Sequence, residues 1–326
     1  MNKVIRWGIV GPGNIANKFA KAVKNVEGAI LSAVASRSIE KSRAFANTYD
    51  IPNVFGSYEE MAQSDCIDAV YIATPHPFHK PCAEIFMKAK KHVLCEKPVC
   101  VNASDAAILY DCAKDNGVFL MEAMWTRFLP AIAEAKRLVN EGVIGEVRGV
   151  SADFCYFLTP EEEPKIYRND MAGGSLLDVG VYGLNFAAIF LGNNPEKISA
   201  VSDIDYNVDC QTNVIIKYQD GKTASVSSAI NTVKPSDGFI YGTKGYIKLP
   251  CFYGAEKLIV NAGGEEKVIF KPSKGDGFEE EIEESCNCIS QGKLQSDIMP
   301  MSETIKIMEQ MDLIRKEIGL EYPFDK

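Results

Sequence analysis

Through the first third of the chain, short apolar β-branched runs alternate with amphipathic stretches, the pattern of βαβ units around a parallel sheet. Val4–Val10 predicts a first strand, Ile15–Val26 a helix, Ala29–Ala35 a second strand and Ile39–Tyr49 a second helix. Ala69–Ala73, His92–Cys95 and Val118–Met121 predict later strands, each nearly continuous in apolar residues, as strands buried on both faces are. After about Glu122 the pattern changes. Ala131–Glu141 predicts a helix ending at Gly142, Glu146–Phe157 a long strand, and Gly173-Gly174 opens a helix reaching Leu191. From Lys197 to Phe270 strand follows strand, including Asn213–Tyr218, Thr223–Ile230, Phe239–Tyr241, Tyr246–Leu249 and Lys257–Val260, with turns at Asp220-Gly221, Gly242, Gly245 and Gly263-Gly264. Short turns between neighbours predict antiparallel pairing. Gly277–Ser290 and Ser302–Ile318 predict two closing helices. The expected fold class is therefore α/β: an N-terminal, doubly wound parallel sheet of the Rossmann kind over residues 1–122, then an α+β domain over 123–326 with a large, open, mainly antiparallel sheet.

Length and composition agree with two such domains. The chain has 326 residues, 46% hydrophobic and 24% charged, enough to bury two cores without disulfides or structural metal. Its 35 basic and 44 acidic side chains give a net charge of −9, and no dense Lys/Arg run supplies the basic face that nucleic acid requires. Ten cysteines are scattered from Cys66 to Cys288; the one close pair, Cys286-x-Cys288, does not have zinc or thioredoxin spacing, so reduced and mostly buried thiols are expected. Lys3 and Arg6 precede an apolar stretch that Gly8, Gly11, Pro12 and Gly13 break at once, so neither a signal-peptide core nor a membrane span is expected, and the location expected is the cytoplasm.

Gly11-Pro12-Gly13-Asn14-Ile15-Ala16 fits G-x-G-x-x-[G/A] between a strand and a helix. The first Gly allows the tight turn, the second lets backbone approach a pyrophosphate, and the helix N-terminus faces the anion. An incidental glycine turn is the bland reading, but the position at the start of a βαβ pattern favours a dinucleotide. The end of the second strand bears on which one. NAD enzymes usually place Asp or Glu there for the ribose 2′-hydroxyl; this chain has Ala35-Ser36-Arg37-Ser38, with Lys41 one turn into the helix, and no carboxylate is expected to be available to repel a phosphate. Arg37 can pair bidentately with a 2′-phosphate, Ser36 can donate to it and Lys41 can add charge. NADP is the expected cofactor, with NAD as the alternative if Arg37 and Lys41 are merely solvated.

Three more segments carry chemistry: Ala73-Thr74-Pro75-His76-x-x-His79 after the fourth strand, Glu96-Lys97-Pro98 after the fifth, and Gly173-Gly174-Ser175-x-x-Asp178-x-Gly180-x-Tyr182. Lys97 falls just beyond the carboxyl end of a strand, where open α/β sheets bind ligands. Asp178 and Tyr182 are four apart on a predicted helix and share a face. Together these motifs resemble the glucose–fructose oxidoreductase / inositol dehydrogenase family over essentially the whole chain. Many members of that family carry His where this chain has Tyr182. With Met121–Phe128, the substitution resembles the branch that contains dimeric dihydrodiol dehydrogenases and NADP-dependent D-xylose dehydrogenases.

What the resemblance implies is specific. Lys97 and Tyr182 become a catalytic pair, Asp178 a substrate-binding or orienting carboxylate, and Trp125 and Arg127 cofactor-side residues. A free Tyr titrates near about 10, and an adjacent Lys ammonium would favour its phenolate, so the pair can serve as acid and base for a carbinol. The expected cofactor contacts are Gly11, Gly13, Asn14, Ile15, Ser36, Arg37, Lys41, Thr74, Pro75, His76, His79, Glu96, Lys97, Trp125 and Arg127. Lys97, Trp125, Phe157, Asp178 and Tyr182 are the expected substrate contacts. Phe154, Tyr156, Phe157 and Tyr253 can stack on a ring, although strand aromatics more often pack. His76 and His79 lack partners that complete a metal site, and none is expected. The expected function is NADP-dependent hydride transfer on a sugar, polyol or cyclic trans-diol, in a homodimer built on the open sheet. The alternatives are a keto-sugar reductase of anhydrofructose type and a non-catalytic NADP-sensing regulator.

Overall fold

The computed structural model describes residues 4–325, leaving Lys3 outside. It divides into two compact units. Among the described residues the first comprises 4–100, 104–125 and 274–305, the second 101–103, 126–273 and 306–325.

The first unit carries β1 (Ile5–Val10), α1 (Asn14–Val23), β2 (Ala29–Ala35), α2 (Ile39–Tyr49), β3 (Asn53–Phe55), α3 (Tyr58–Gln63), β4 (Ala69–Ile72), α4 (His79–Lys88), β5 (His92–Glu96), α5 (Ala103–Asn116) and β6 (Leu120–Ala123). The strands are all parallel and lie in the order β3-β2-β1-β4-β5-β6, the doubly wound arrangement with its switch point between β1 and β4. Register matters for the site. Val10 is level with Ala35 and with Ile72, and Ile72 with Cys95, so the turns after β1, β2, β4 and β5 leave one edge of the sheet together. Trp7, Ile9, Phe19, Tyr71 and Phe86 are fully buried, and Phe19 stacks on Tyr71 with ring centroids 3.9 Å apart.

In the second unit α6 (Pro130–Asn140), β7 (Val147–Cys155) and α7 (Val181–Leu191) precede β8 (Pro195–Asp205), β9 (Val208–Tyr218), β10 (Thr223–Ala229), β11 (Gly238–Gly242), β12 (Gly245–Leu249), β13 (Lys257–Ala262) and β14 (Glu265–Phe270). Eight strands form one sheet in the order β14-β13-β12-β11-β7-β10-β9-β8. All neighbours pair antiparallel except β7 and β10, which are parallel: β7 enters the centre of a sheet whose other strands are joined mostly by hairpins. One face is closed by α7, where Gly183 permits contact that a Cβ would block against Val226 of β10. The other carries Val201, Ile215, Tyr241 and Val268, each more than 40% exposed.

Two helices remain, α8 (Phe278–Ser290) and α9 (Met301–Ile318). The expected division at 122/123 differs here, because α8 clusters with the first unit: Asn25 donates to Glu279 at 3.0 Å and Trp125 stacks on Phe278. An amphipathic period shows that a helix packs, not which sheet it packs on. Strand β3 has only three residues, and β8 and β14 are exposed edge strands, so none shows the apolar pattern of an inner strand. The segment Asn169–Leu191 is apolar enough by composition to cross a membrane, yet 78% of its most apolar stretch is buried. All ten cysteines are free and seven are buried.

Candidate active site

The turn after β1 is shaped by its neighbours. Gly11 has φ +83°, and a Cβ there would press on the Ala73 carbonyl and Thr74 Cγ2 at 3.1 Å. Gly13 is exposed, donates to the Gly11 carbonyl at 2.9 Å and precedes α1 without offering that helix any side-chain cap. Asn14 and Ile15 open the helix, and no acidic residue stands in its first turn. Uncapped amides beside a bare backbone suit a pyrophosphate.

At the end of β2, Ser36 is buried and its Oγ accepts from Ser38 N at 3.3 Å; Arg37 is exposed, its guanidinium 5.4 Å from the Phe78 ring centre. Lys41 is exposed and its amide donates to Ser38 Oγ at 3.3 Å. The expectation that no carboxylate is available here is corrected by the residue before Lys41. Glu40, in the first turn of α2, accepts from Ser38 Oγ at 2.8 Å, and hydrogen bonds from its own amide and from Ser38 hold its pKa below the ordinary value.

The Lys97 turn is fastened on several sides. Lys97 N donates to Glu96 Oε2 at 3.2 Å, the Tyr71 hydroxyl donates to Glu96 Oε1, and Val99 N donates to Glu122 Oε1 at 2.9 Å. His79 sits behind, fully buried, with Nδ1 2.8 Å from the Pro98 carbonyl and Nε2 2.6 Å from the Thr74 carbonyl. Burial and the nearby His76 push its pKa down to about 3, so the ring is neutral. His79, expected as a cofactor contact, is thus enclosed between the Thr74 and Lys97 turns, where a neutral ring can donate its single N–H to only one of the two carbonyls. Glu96, 6% exposed, likewise supports the turn rather than presenting its carboxylate. Pro75 and His76 are half-buried beside it, and Lys97 itself is half-buried.

The second unit contributes side chains instead. Asp178 lies in a π-helical turn, Leu176–Gly180, that runs directly into α7, and Tyr182 follows in the first turn of α7, 7% exposed. Wide turns of this type are frequent at functional sites. Tyr156, just past β7, donates its phenol hydrogen to Asp178 Oδ2 at 2.5 Å; burial and that carboxylate hold the phenol protonated well above its usual range. Phe154 meets Tyr182 edge-on at 5.3 Å and stacks on Tyr253 at 3.9 Å with the rings 5° from parallel. Four aromatic residues and one carboxylate thus form a wall. Phe157, an expected substrate contact, is 56% exposed, and its backbone bridges to Asn231 instead. Arg127, an expected cofactor contact, is buried with Nε donating to Asn185 Oδ1 of α7 at 2.7 Å.

Residues 5–124 match the model of the GFO/IDH/MocA oxidoreductase family with an NAD-binding Rossmann fold, and residues 132–248 match that family's C-terminal domain. The trans-1,2-dihydrobenzene-1,2-diol dehydrogenase of Mus musculus is 35% identical, with 99% of each chain covered. The chain belongs to the GFO/IDH/MocA oxidoreductase family. Among solved structures, an aldose-aldose oxidoreductase from Caulobacter crescentus in complex with glycerol is 25% identical with a TM-score of 0.89, covering 97% of this chain and 98% of the other. A 3-ketoreductase from Actinomadura kijaniata, in complex with NADP and TDP-benzene, has the same fold at a TM-score of 0.89 and 24% identity, covering 96% and 98%.

As a member of the GFO/IDH/MocA family the chain is an oxidoreductase acting on hydroxyl or carbonyl groups, with a nicotinamide dinucleotide domain at its N-terminus. Within the first unit the fold brings together Gly11, Gly13, Thr74 and Lys97 at one sheet edge, and Trp125 stacks on Phe278 with centroids 5.4 Å apart. Within the second it brings Asp178 and Tyr182 to the aromatic wall. Sequence reasoning missed Glu122, the Tyr156–Asp178 bond and Asp209, whose carboxylate receives Leu176 N. Only long-range pairing reveals these partners, 22 to 33 residues apart.

Proposed function

We propose that the protein is an NADP-dependent dehydrogenase of sugars, polyols or cyclic trans-diols, with Lys97 and Tyr182 as its acid–base pair. The observation that carries this reading is the wall around Tyr182: a phenol flanked by Phe154 and Tyr253 and preceded, in the turn before α7, by the Asp178 carboxylate already clamped by Tyr156. Such a surface suits a ring bearing hydroxyl groups, apolar across its face and polar at its edge. NADP, when bound, supplies or accepts the hydride at nicotinamide C4. Lys97 polarises the reacting oxygen, Tyr182 takes or returns its proton, and Asp178 binds a neighbouring hydroxyl. Run in the other direction, the same residues reduce a keto-sugar.

Arg37 and Lys41 support NADP over NAD, with the Glu40 carboxylate working against them. The homodimer is proposed through the exposed sheet face bearing Val201, Ile215 and Tyr241; a single-chain mass in solution would count against it. Ten unpaired thiols support a cytoplasmic setting.

The test is nicotinamide absorbance with a panel of aldoses, polyols and trans-diols, using NADP and NAD. Lys97→Met and Tyr182→Phe are expected to lower kcat by about a thousandfold while leaving the Kd for NADPH within about threefold. Parent-like turnover in both variants would remove the pair from the mechanism. Tight NADPH binding with no substrate in the panel turned over would favour the sensor.

A further inference from the structure

Asp209, on β9 of the second unit, has no part in the chemistry above, yet it is fully buried, and three donors converge on one of its oxygens. Ser175 Oγ donates to Oδ2 at 2.8 Å, Thr212 Oγ1 at 2.8 Å and the backbone amide of Leu176 at 2.7 Å. Ser228 Oγ lies 2.9 Å behind Ser175 Oγ. Leu176 opens the π-helical turn that carries Asp178 and leads into Tyr182. The carboxylate therefore holds the first amide of the helical segment bearing Asp178 and the proposed acid–base residue Tyr182, where the helix dipole favours a negative charge. Gly174, at φ +110°, passes so close that a Cβ would overlap Asp209 Oδ1, which explains the glycine on local grounds.

We propose that Asp209 is a positioning residue, whose ionised carboxylate fixes the Leu176–Tyr182 turn and so sets the attitude of Asp178 and Tyr182. The inference rests on the catalytic reading of Tyr182. Burial pushes the Asp209 pKa up to about 6, with the three donors pulling it back, so loss of the anion falls within a measurable acid range. The titratable groups facing it are Tyr322, whose hydroxyl donates to the Gly173 carbonyl at 2.5 Å, and Cys210 beside it on β9; burial raises the pKa of both, so both are neutral in that range.

The experiment is the pH profile of kcat for the parent, Asp209→Asn and Ser175→Ala, with hydrogen exchange at the Leu176 amide. Asn retains an acceptor but cannot titrate. It is expected to lower kcat about tenfold with the KM for NADP unchanged, and to abolish the acid limb. Ser175→Ala removes one donor that favours the anion, so its acid limb is expected to move to higher pH. A merely structural role would not move a limb in that direction. Acid limbs that coincide in all three proteins would overturn the proposal. The exchange measurement separates this failure from that of the catalytic reading: protection of Leu176 should fall in the parent below about pH 6 and not in Asp209→Asn, whether or not Tyr182 proves catalytic, and equal pH dependence in both would overturn the clamp itself.

Discussion

The two units place their candidate functional residues by different means. In the first the cradle is backbone: the Gly11 turn, the bare amides of α1 and the Thr74 carbonyl are set by φ angles and sheet register, and the buried side chains His79, Glu96 and Glu122 only fasten the turns from behind. In the second the surface is made of side chains brought from β7, α7 and the Cys251–Tyr253 turn, held by one another. A backbone cradle tolerates most substitutions and fails sharply at the few residues that must be glycine. A side-chain wall should degrade by degrees, and it can change ligand without changing fold.

That contrast can be broken by substitution. The largest effect is expected at Gly11→Val, where φ +83° is strained for a β-branched side chain and the Cβ meets the Ala73 carbonyl. Titration with NADPH should show a Kd raised by at least about a hundredfold, because the turn must move before the dinucleotide can sit. Affinity within threefold of the parent would show that the cradle is not built on that turn. A smaller effect is expected at Tyr156→Phe, which keeps the ring and removes the donor to Asp178 Oδ2. The kcat/KM for a diol should fall about tenfold, worth about 1.4 kcal/mol, with NADPH affinity untouched. If affinity for the dinucleotide fell instead, the division of labour between the two units would be wrong.

The same contrast explains what was legible in the sequence. Gly11-Pro12-Gly13 and Glu96-Lys97-Pro98 are local signals, since a strand, a turn and a helix start carry their whole meaning within a few residues. Asp178 and Tyr182 share a helix and were visible for the same reason. The cofactor role expected of Arg127 came from the family resemblance, and the sequence alone does not show that Asn185 holds its guanidinium from 58 residues away or that Phe157 is 56% exposed. Glu40 lies between Ser38 and Lys41 in the sequence, and only the fold shows its carboxylate folded back onto Ser38 Oγ beside them. The position of α8 was not legible, since its apolar stripe fits either sheet and only pairs such as Asn25–Glu279 decide between them.

Each unit also buries a carboxyl group completely, and here the contrast reverses. Asp209 in the second unit is met by three donors, whereas neither oxygen of Glu281, on α8 in the first, has a hydrogen-bond partner among the described residues. Burial, with Glu96 and Glu280 close by, raises the Glu281 pKa well above its ordinary value. A carboxyl whose folded pKa exceeds its unfolded one binds more protons folded than unfolded, so stability falls as pH rises from the unfolded value of about 4.3 toward the folded one. Glu281→Gln preserves shape and cannot ionise. Urea unfolding of the first unit's transition from pH 4 to 8 should therefore give a variant whose stability relative to the parent increases with pH, by up to about 1.4 kcal/mol per unit across that window. The corresponding change at Asp209 should be smaller, because its donors already return part of the cost of burying the charge. Parallel curves for parent and Glu281→Gln would mean that the Glu281 carboxyl keeps an ordinary pKa, and that the unpartnered acid is no burden on the first unit.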